Sequence, residues 1–313
     1  MPTTDGIKAW RSHTRSTRTC RPKRLSCMTL LALALILVAA FLHAGWNFLA
    51  KQSSGGAIFV WLFAACASLI YAPFVAALAL AYPPDLDVAA WWCVAGTSLL
   101  HMGYFLPLQR GYRSGDLSVV YPLARGTGPL LTMLLAVVVL EERPTGLGLL
   151  GSGLIVASVF ILAGGPRNVA RRPSAAAIGY GLLTGVLIAS YTLLDKYAVG
   201  MLLVPPLLYD WLGNLGRMLL ITPYALRRRD EITAEWKANR GAILGVAIMS
   251  PLAYILVLTA MTCTPVSYVA PAREVSILIG VAVGSRLLDE GQLRSRLIAA
   301  AGMVCGITAL VLG

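Results

Sequence analysis

Apolar residues run along this chain in ten long blocks, each closed by a few polar or turn-forming residues. The blocks cover approximately residues 28–50, 57–81, 88–108, 117–140, 147–164, 175–195, 202–226, 242–261, 266–287 and 297–312. A helix needs about 20 mostly apolar residues to cross about 30 Å of hydrocarbon, and a helix satisfies its own backbone there. The pattern therefore predicts ten transmembrane helices. The connections between them are short, which leaves no room for a soluble catalytic domain.

The blocks repeat. Ala44-Gly45-Trp46-Asn47-Phe48-Leu49-Ala50-Lys51 is echoed 145 residues later by Ala189-Ser190-Tyr191-Thr192-Leu193-Leu194-Asp195-Lys196. In the next block of each half, Trp61 and Pro73-Phe74 match Trp211 and Pro223-Tyr224 at identical spacing. Ser118 to Arg125 is answered by Ser267 to Arg273, one residue shorter, and Leu140-Glu141-Glu142 by Leu288-Asp289-Glu290. Such self-similarity marks an internal duplication. Five helices per copy is an odd number, so the second copy enters the membrane inverted, as in many secondary transporters. The expected architecture is all-α and integral to the membrane, with ten transmembrane helices in two inverted five-helix repeats, 28–165 and 174–313, behind a basic tail, 1–27, expected to be disordered.

Composition agrees with a bilayer. The chain is 58% hydrophobic and 13% charged, with mean hydropathy +0.74, whereas soluble domains carry about 25% charged residues. The net charge of +12 does not point to nucleic acid, because the basic residues gather at helix ends and in the tail, where they orient membrane proteins. The tail resembles a signal peptide only superficially, since cleavage in the following apolar run would remove the duplicated motif; Met28 is an alternative start. Counted from Met28, the arginines and lysines lean toward an external amino terminus. Six cysteines show neither metal-ligand nor redox spacing, and no cofactor is expected.

The order and duplication of these motifs resemble the drug/metabolite transporter superfamily, in particular its EamA-type members. The resemblance rests on Trp46-Asn47 and Lys51, on Tyr191 to Lys196, on Leu140-Glu141-Glu142-Arg143-Pro144 before a glycine-rich helix, and on its copy at Leu288 to Glu290. It implies a ten-helix carrier that moves small metabolites, amino acids or drugs, commonly by proton coupling or exchange. It also implies cytosolic termini, against the lean of the charge count. Residence in a bacterial inner membrane is the corresponding expectation.

Ionisable side chains within a span cost about 2.5–3.5 kcal/mol each on insertion scales, so they are the natural site candidates. His43, Asn47 and Lys51 recur every four residues as one polar stripe, either a helix-helix seam or, through His43, a cavity wall with a proton carrier. Arg125 and Arg273 each follow a proline early in the fourth and ninth blocks. Together they would clamp an organic anion bidentately, and alternatively each would neutralise a carboxylate, such as Glu274. Glu274 is a proton-coupling candidate: removal from water disfavours its charge, a nearby arginine favours it, and sequence does not rank the two. Asp210 with Arg217 is a second such set, while Asp195-Lys196 reads as an interfacial pair. Trp46, Tyr121, Tyr191 and His101 supply aromatic and polar walls for the substrate site. Gly302 and Gly306 form a GxxxG step that hints at a homodimer. The reading is a secondary active transporter, by alternating access, of a small organic metabolite such as an organic anion or amino acid. The alternatives are a non-transporting membrane scaffold and an integral-membrane enzyme. No HExxH, nucleophile elbow or acidic metal motif supports the enzyme.

Overall fold

A computed structural model describes residues 28–53, 56–104, 107, 110, 117–162, 175–284 and 290–313. The basic tail, the boundary between the halves and Leu288-Asp289 lie outside the described residues, as do the side chains of Lys51 and Tyr121. The described residues form eleven helices and no strand: α1 (Leu30–Gln52), α2 (Ala57–Ala81), α3 (Val88–Gly103), α4 (Leu117–Val139), α5 (Gly146–Leu162), α6 (Ala175–Gly200), α7 (Pro206–Leu226), α8 (Arg229–Cys263), α9 (Val266–Ala272), α10 (Val275–Gly284) and α11 (Glu290–Leu312). By length and composition α1, α2, α6 and α8 are able to cross a bilayer, and Leu123–Val139, Gly146–Leu162 and Leu297–Leu312 are shorter apolar helices. Leu69, Leu80, Trp92 and Val138 lie largely exposed, as an exterior solvated by lipid requires.

Two elements differ from the block pattern. α8 begins thirteen residues before the eighth block, in a polar stretch that meets the apolar part at Asn239, whose φ of −127° is not helical. The ninth block is two helices, α9 and α10, parted at Arg273-Glu274.

Helix ends are closed by charged and polar side chains. Thr29 accepts from the Ala32 amide at 3.1 Å and Asp87 from the Ala90 amide at 2.8 Å, starting α1 and α3. The Glu142 carboxylate accepts the amides of Val266 (2.7 Å) and Ser267 (3.0 Å), an anion on the N-terminus of α9. Lys196 Nζ donates to the carbonyls of Met261 (2.6 Å) and Thr264 (3.0 Å), a cation at the end of α8. The expected interfacial pair of Asp195 with Lys196 does not form, because Lys196 turns to these carbonyls and Asp195 turns into the bundle.

The packing is reciprocal between the halves. α1 packs on α8 and α10, while α6 packs on α3 and α4. α2 meets α7 through the echoed tryptophans: Trp211 Nε1 donates to the Ser68 carbonyl (2.8 Å), and Trp61 Nε1 to the Thr222 hydroxyl (3.0 Å), which itself donates to the Met218 carbonyl (2.8 Å). α5 and α11 approach through glycines. A Cβ on Gly151 would sit 2.6 Å from the Gly306 carbonyl oxygen, and one on Gly306 would sit 2.7 Å from that of Gly151. The GxxxG step thus packs within the chain, with its glycines turned to α5.

Candidate functional site

The break between α9 and α10 positions two consecutive charges on different neighbours. Pro271 offers no amide, so the Ser267 carbonyl one turn back accepts the Ser152 hydroxyl at 3.1 Å instead. Short i to i+3 bonds then carry the backbone through the gap, from Glu274 N to Pro271 O (3.0 Å) and from Ser276 N to Arg273 O (3.2 Å). Pro122 lies equally early in α4, yet α4 runs on unbroken, so of the two matching prolines Pro271 alone precedes a gap.

Glu274, 2% exposed, faces α4, where its Oε2 lies 3.0 Å from Arg125 Nη2. The contact is ionic rather than an aligned hydrogen bond, since Oε2 has no donor in hydrogen-bond geometry. Counted from the matching prolines, Arg125 and Glu274 are both three residues on. The pair therefore joins equivalent positions of the two halves, whereas the sequence reading equated Arg125 with Arg273.

Arg273 turns the other way. Its Nη2 is 3.5 Å from the Tyr191 hydroxyl and its guanidinium carbon is 5.8 Å from the centre of the Tyr254 ring. Its Nη1 is buried with no hydrogen-bond partner, and among the described residues no carboxylate comes within 4.0 Å of it. Around it stand aromatic rings: His101 lies against Tyr191 at 4.0 Å between centroids, Tyr254 meets His101 edge-on at 5.6 Å, and Tyr104 is 5.9 Å from Tyr191.

Beside this cluster a small cleft is lined by Thr97, His101, Tyr209, Asp210, Gly213, Arg217 and Tyr254. Asp210 accepts Asn214 Nδ2 at 2.9 Å, and Asn214 Oδ1 accepts Arg217 Nη2 at 2.7 Å, a polar chain up one face of α7. Asp195 is completely buried; Tyr209 donates to its Oδ1 (2.7 Å) and Tyr254 to its Oδ2.

Of the sequence candidates, Arg273, Tyr191 and His101 come together, and Asp210 lines the adjoining cleft. Arg125 and Glu274 pair with each other. His43 is half-buried, edge-on to Trp46 at 4.9 Å, within electrostatic reach of both arginines. Trp46 packs against the apolar cluster of Ile58 and Phe59, and the Asn47 amide donates to the carbonyl of His43 at 2.7 Å. Tyr254 and Asn214 were missed, and Asp195 was read as an interfacial pair with Lys196. Tyr254 stands 150 residues after Tyr104, the spacing of Trp61 and Trp211, an echo that would have singled it out, whereas Asn214 has no such partner. Among the described residues no group of three potential ligands is arranged for a metal ion.

The fold and these sites are those of an all-helical integral membrane protein. Residues 30–164 match the EamA-like transporter family, in keeping with the drug/metabolite transporter resemblance. A solved structure titled "Crystal structure of protein" shares the fold, with a TM-score of 0.67 at 14% identity over 90% of this chain and 96% of that one. No curated protein matches the chain.

Proposed function

We propose that this protein is a secondary active transporter of a small organic anion, working by alternating access between two inverted five-helix halves in a bacterial inner membrane. The observation that carries the anion is Arg273: a guanidinium at a helix break, with one buried nitrogen unpartnered and aromatic rings around it. A carboxylate or phosphonate on an organic body satisfies both features, since guanidinium binds either oxyanion bidentately and the rings take the apolar part. The cleft holds about 10 Å³, far below the roughly 300–1,000 Å³ of typical organic-ligand sites, so substrate entry requires the halves to part.

Ten crossings are supported by where the ends meet. The Met28 amide donates to the Leu310 carbonyl at 3.4 Å, so the first and last helices have their outer ends together, as an even number of spans requires. The junctions bearing Glu142, Lys196 and Thr264 also meet one another. A scaffold accounts for Arg125 with Glu274 but offers no reason to bury Arg273 with a nitrogen unpartnered and, among the described residues, no carboxylate within 4.0 Å.

Thermal unfolding of the full chain in detergent against carboxylates, phosphonates, amino acids and aromatic cations tests the reading, because a ligand that binds the folded state raises the midpoint. Stabilisation by a carboxylate or phosphonate is expected. Stabilisation by cations alone would overturn the anion assignment, and a panel without effect, together with no uptake into proteoliposomes, would overturn transport.

A further inference from the structure

Three buried acids stand among the described membrane helices: Asp195, Asp210 and Glu274. Glu274 has Arg125 at 3.0 Å, and Asp210 is linked through Asn214 to Arg217. Among the described residues Asp195 has no cation within 4.0 Å and is held by the neutral hydroxyls of Tyr209, Tyr254 and Thr97. A carboxylate removed from water must be paired, bonded or protonated, and in a membrane interior the proton is the simplest neutraliser. The hydroxyls on Asp195, those of Tyr209, Tyr254 and Thr97, all belong to residues that line the cleft, so water entering the cleft reaches its hydrogen-bond network.

We propose that Asp195 is the proton-carrying carboxylate of the transport cycle, loaded from the cleft between α3, α7 and α8 and linked to the anion site through Tyr254. The proposal rests on the transport reading above and deepens it. A hydronium in the cleft gives its proton to an Asp195 oxygen and leaves as water. The new acid hydroxyl then donates to a tyrosine oxygen, and that tyrosine turns its own hydroxyl away. Release on the other side reverses the exchange.

The charges facing Asp195 set the direction of coupling. α3 presents Cys93 and Thr97, α7 presents Tyr209 and Asp210, and α8 presents Tyr254. Arg273 follows α9 and stands 5.8 Å from the Tyr254 ring centre, with its charge reaching Asp195; Arg125 on α4 faces Glu274. Tyr191, one turn before Asp195 on α6, contacts Arg273, and Lys196 is held by the α8 carbonyls. Ionised Asp195 partly offsets the field of Arg273. Protonation removes that offset, so an anion binds Arg273 more tightly when Asp195 carries its proton, and by linkage the anion tightens proton binding. The cycle is therefore proton-anion symport.

The test needs no knowledge of the substrate. pH-difference infrared spectroscopy of the full chain in lipid nanodiscs is expected to show a protonated-carboxyl band that titrates, disappears in Asp195→Asn and survives in Asp210→Asn. A band unchanged in Asp195→Asn, or no titrating band in the unsubstituted protein, would overturn the assignment. If Asp195→Asn does not fold, Tyr254→Phe keeps the carboxyl and removes one donor; its band must move in frequency and midpoint, and an unmoved band overturns the proposal. Sodium-dependent thermal stabilisation lost in Asp195→Asn, without the band, would make the site one for a metal cation and overturn it too. With benzoate as the probe, affinity is expected to weaken roughly 5- to 150-fold as pH rises through the titration, and to lose that dependence in Asp195→Asn. Failure of benzoate and the other anions to bind would count against the anion reading, while the infrared band would still decide Asp195.

Discussion

Arg125 and Arg273 each follow a proline in corresponding helices, yet one is neutralised and the other is not. Arg125 rises from an unbroken α4 and meets Glu274, its positional counterpart across the halves. Arg273 stands at the gap between α9 and α10 and faces Tyr191 and Tyr254, with a nitrogen left unpartnered. The difference teaches that matching places along the sequence do not fix a charge's partner: a glutamate stands opposite Arg125, and tyrosines stand around Arg273.

The largest effect separating the two is on folding. Arg125→Ala leaves Glu274 buried without its partner and should cost about 3–5 kcal/mol, read as a lower unfolding midpoint and folded yield. Arg125→Met combined with Glu274→Leu should recover most of that loss, because replacing a buried pair by apolar side chains is often neutral or stabilising. A double substitution as unstable as the single one would show that the pair has a role beyond mutual neutralisation.

Arg273→Gln is the matching probe of binding. Loss of a hydrogen bond to a charged group, about 1.5–3 kcal/mol, should weaken an anion that stabilises the protein by roughly ten- to a hundredfold in Kd. The unfolding midpoint without ligand should stay close to that of the unsubstituted protein. A midpoint as low as that of Arg125→Ala would erase the contrast.

Smaller effects concern the frame around both arginines. Glu142→Ala strips two amides of α9 of their acceptor and should destabilise by about 1–3 kcal/mol, with Glu142→Gln milder because it keeps an oxygen. Hydrogen exchange at Val266 and Ser267 reports this directly. Trp211→Phe and Trp61→Phe each remove one hydrogen bond between α2 and α7 and should cost about 0.5–1.5 kcal/mol apiece by thermal unfolding. Unequal losses would show that the two sides of that contact are not equivalent.

Much of this frame was legible in the chain. Among the described residues each apolar block contains helix, the echoed tryptophans each bond across to the other of α2 and α7, and Asp210 and Arg217 lie on one face of α7 as their spacing requires. The break after Ala272 was not legible, because Pro122 and Pro271 occupy the same place in their helices and only one precedes a gap. Asp195, read as an interfacial partner of Lys196, was misplaced for a different reason. Its burial is made by tyrosines on α7 and α8, and the adjacent lysine offered a local partner that the folded chain uses elsewhere. Patterns of period reveal helices, but the partner of a buried charge comes from another helix.

The most direct test of the central claim places both arginines in one experiment: unfolding midpoints of Arg125→Ala and Arg273→Ala, each with and without a saturating anion that stabilises the unsubstituted protein. The account predicts that Arg125→Ala unfolds at a lower temperature but keeps the ligand-induced rise, whereas Arg273→Ala holds its midpoint and loses the rise. Loss of the rise in both variants, or in Arg125→Ala alone, would contradict it.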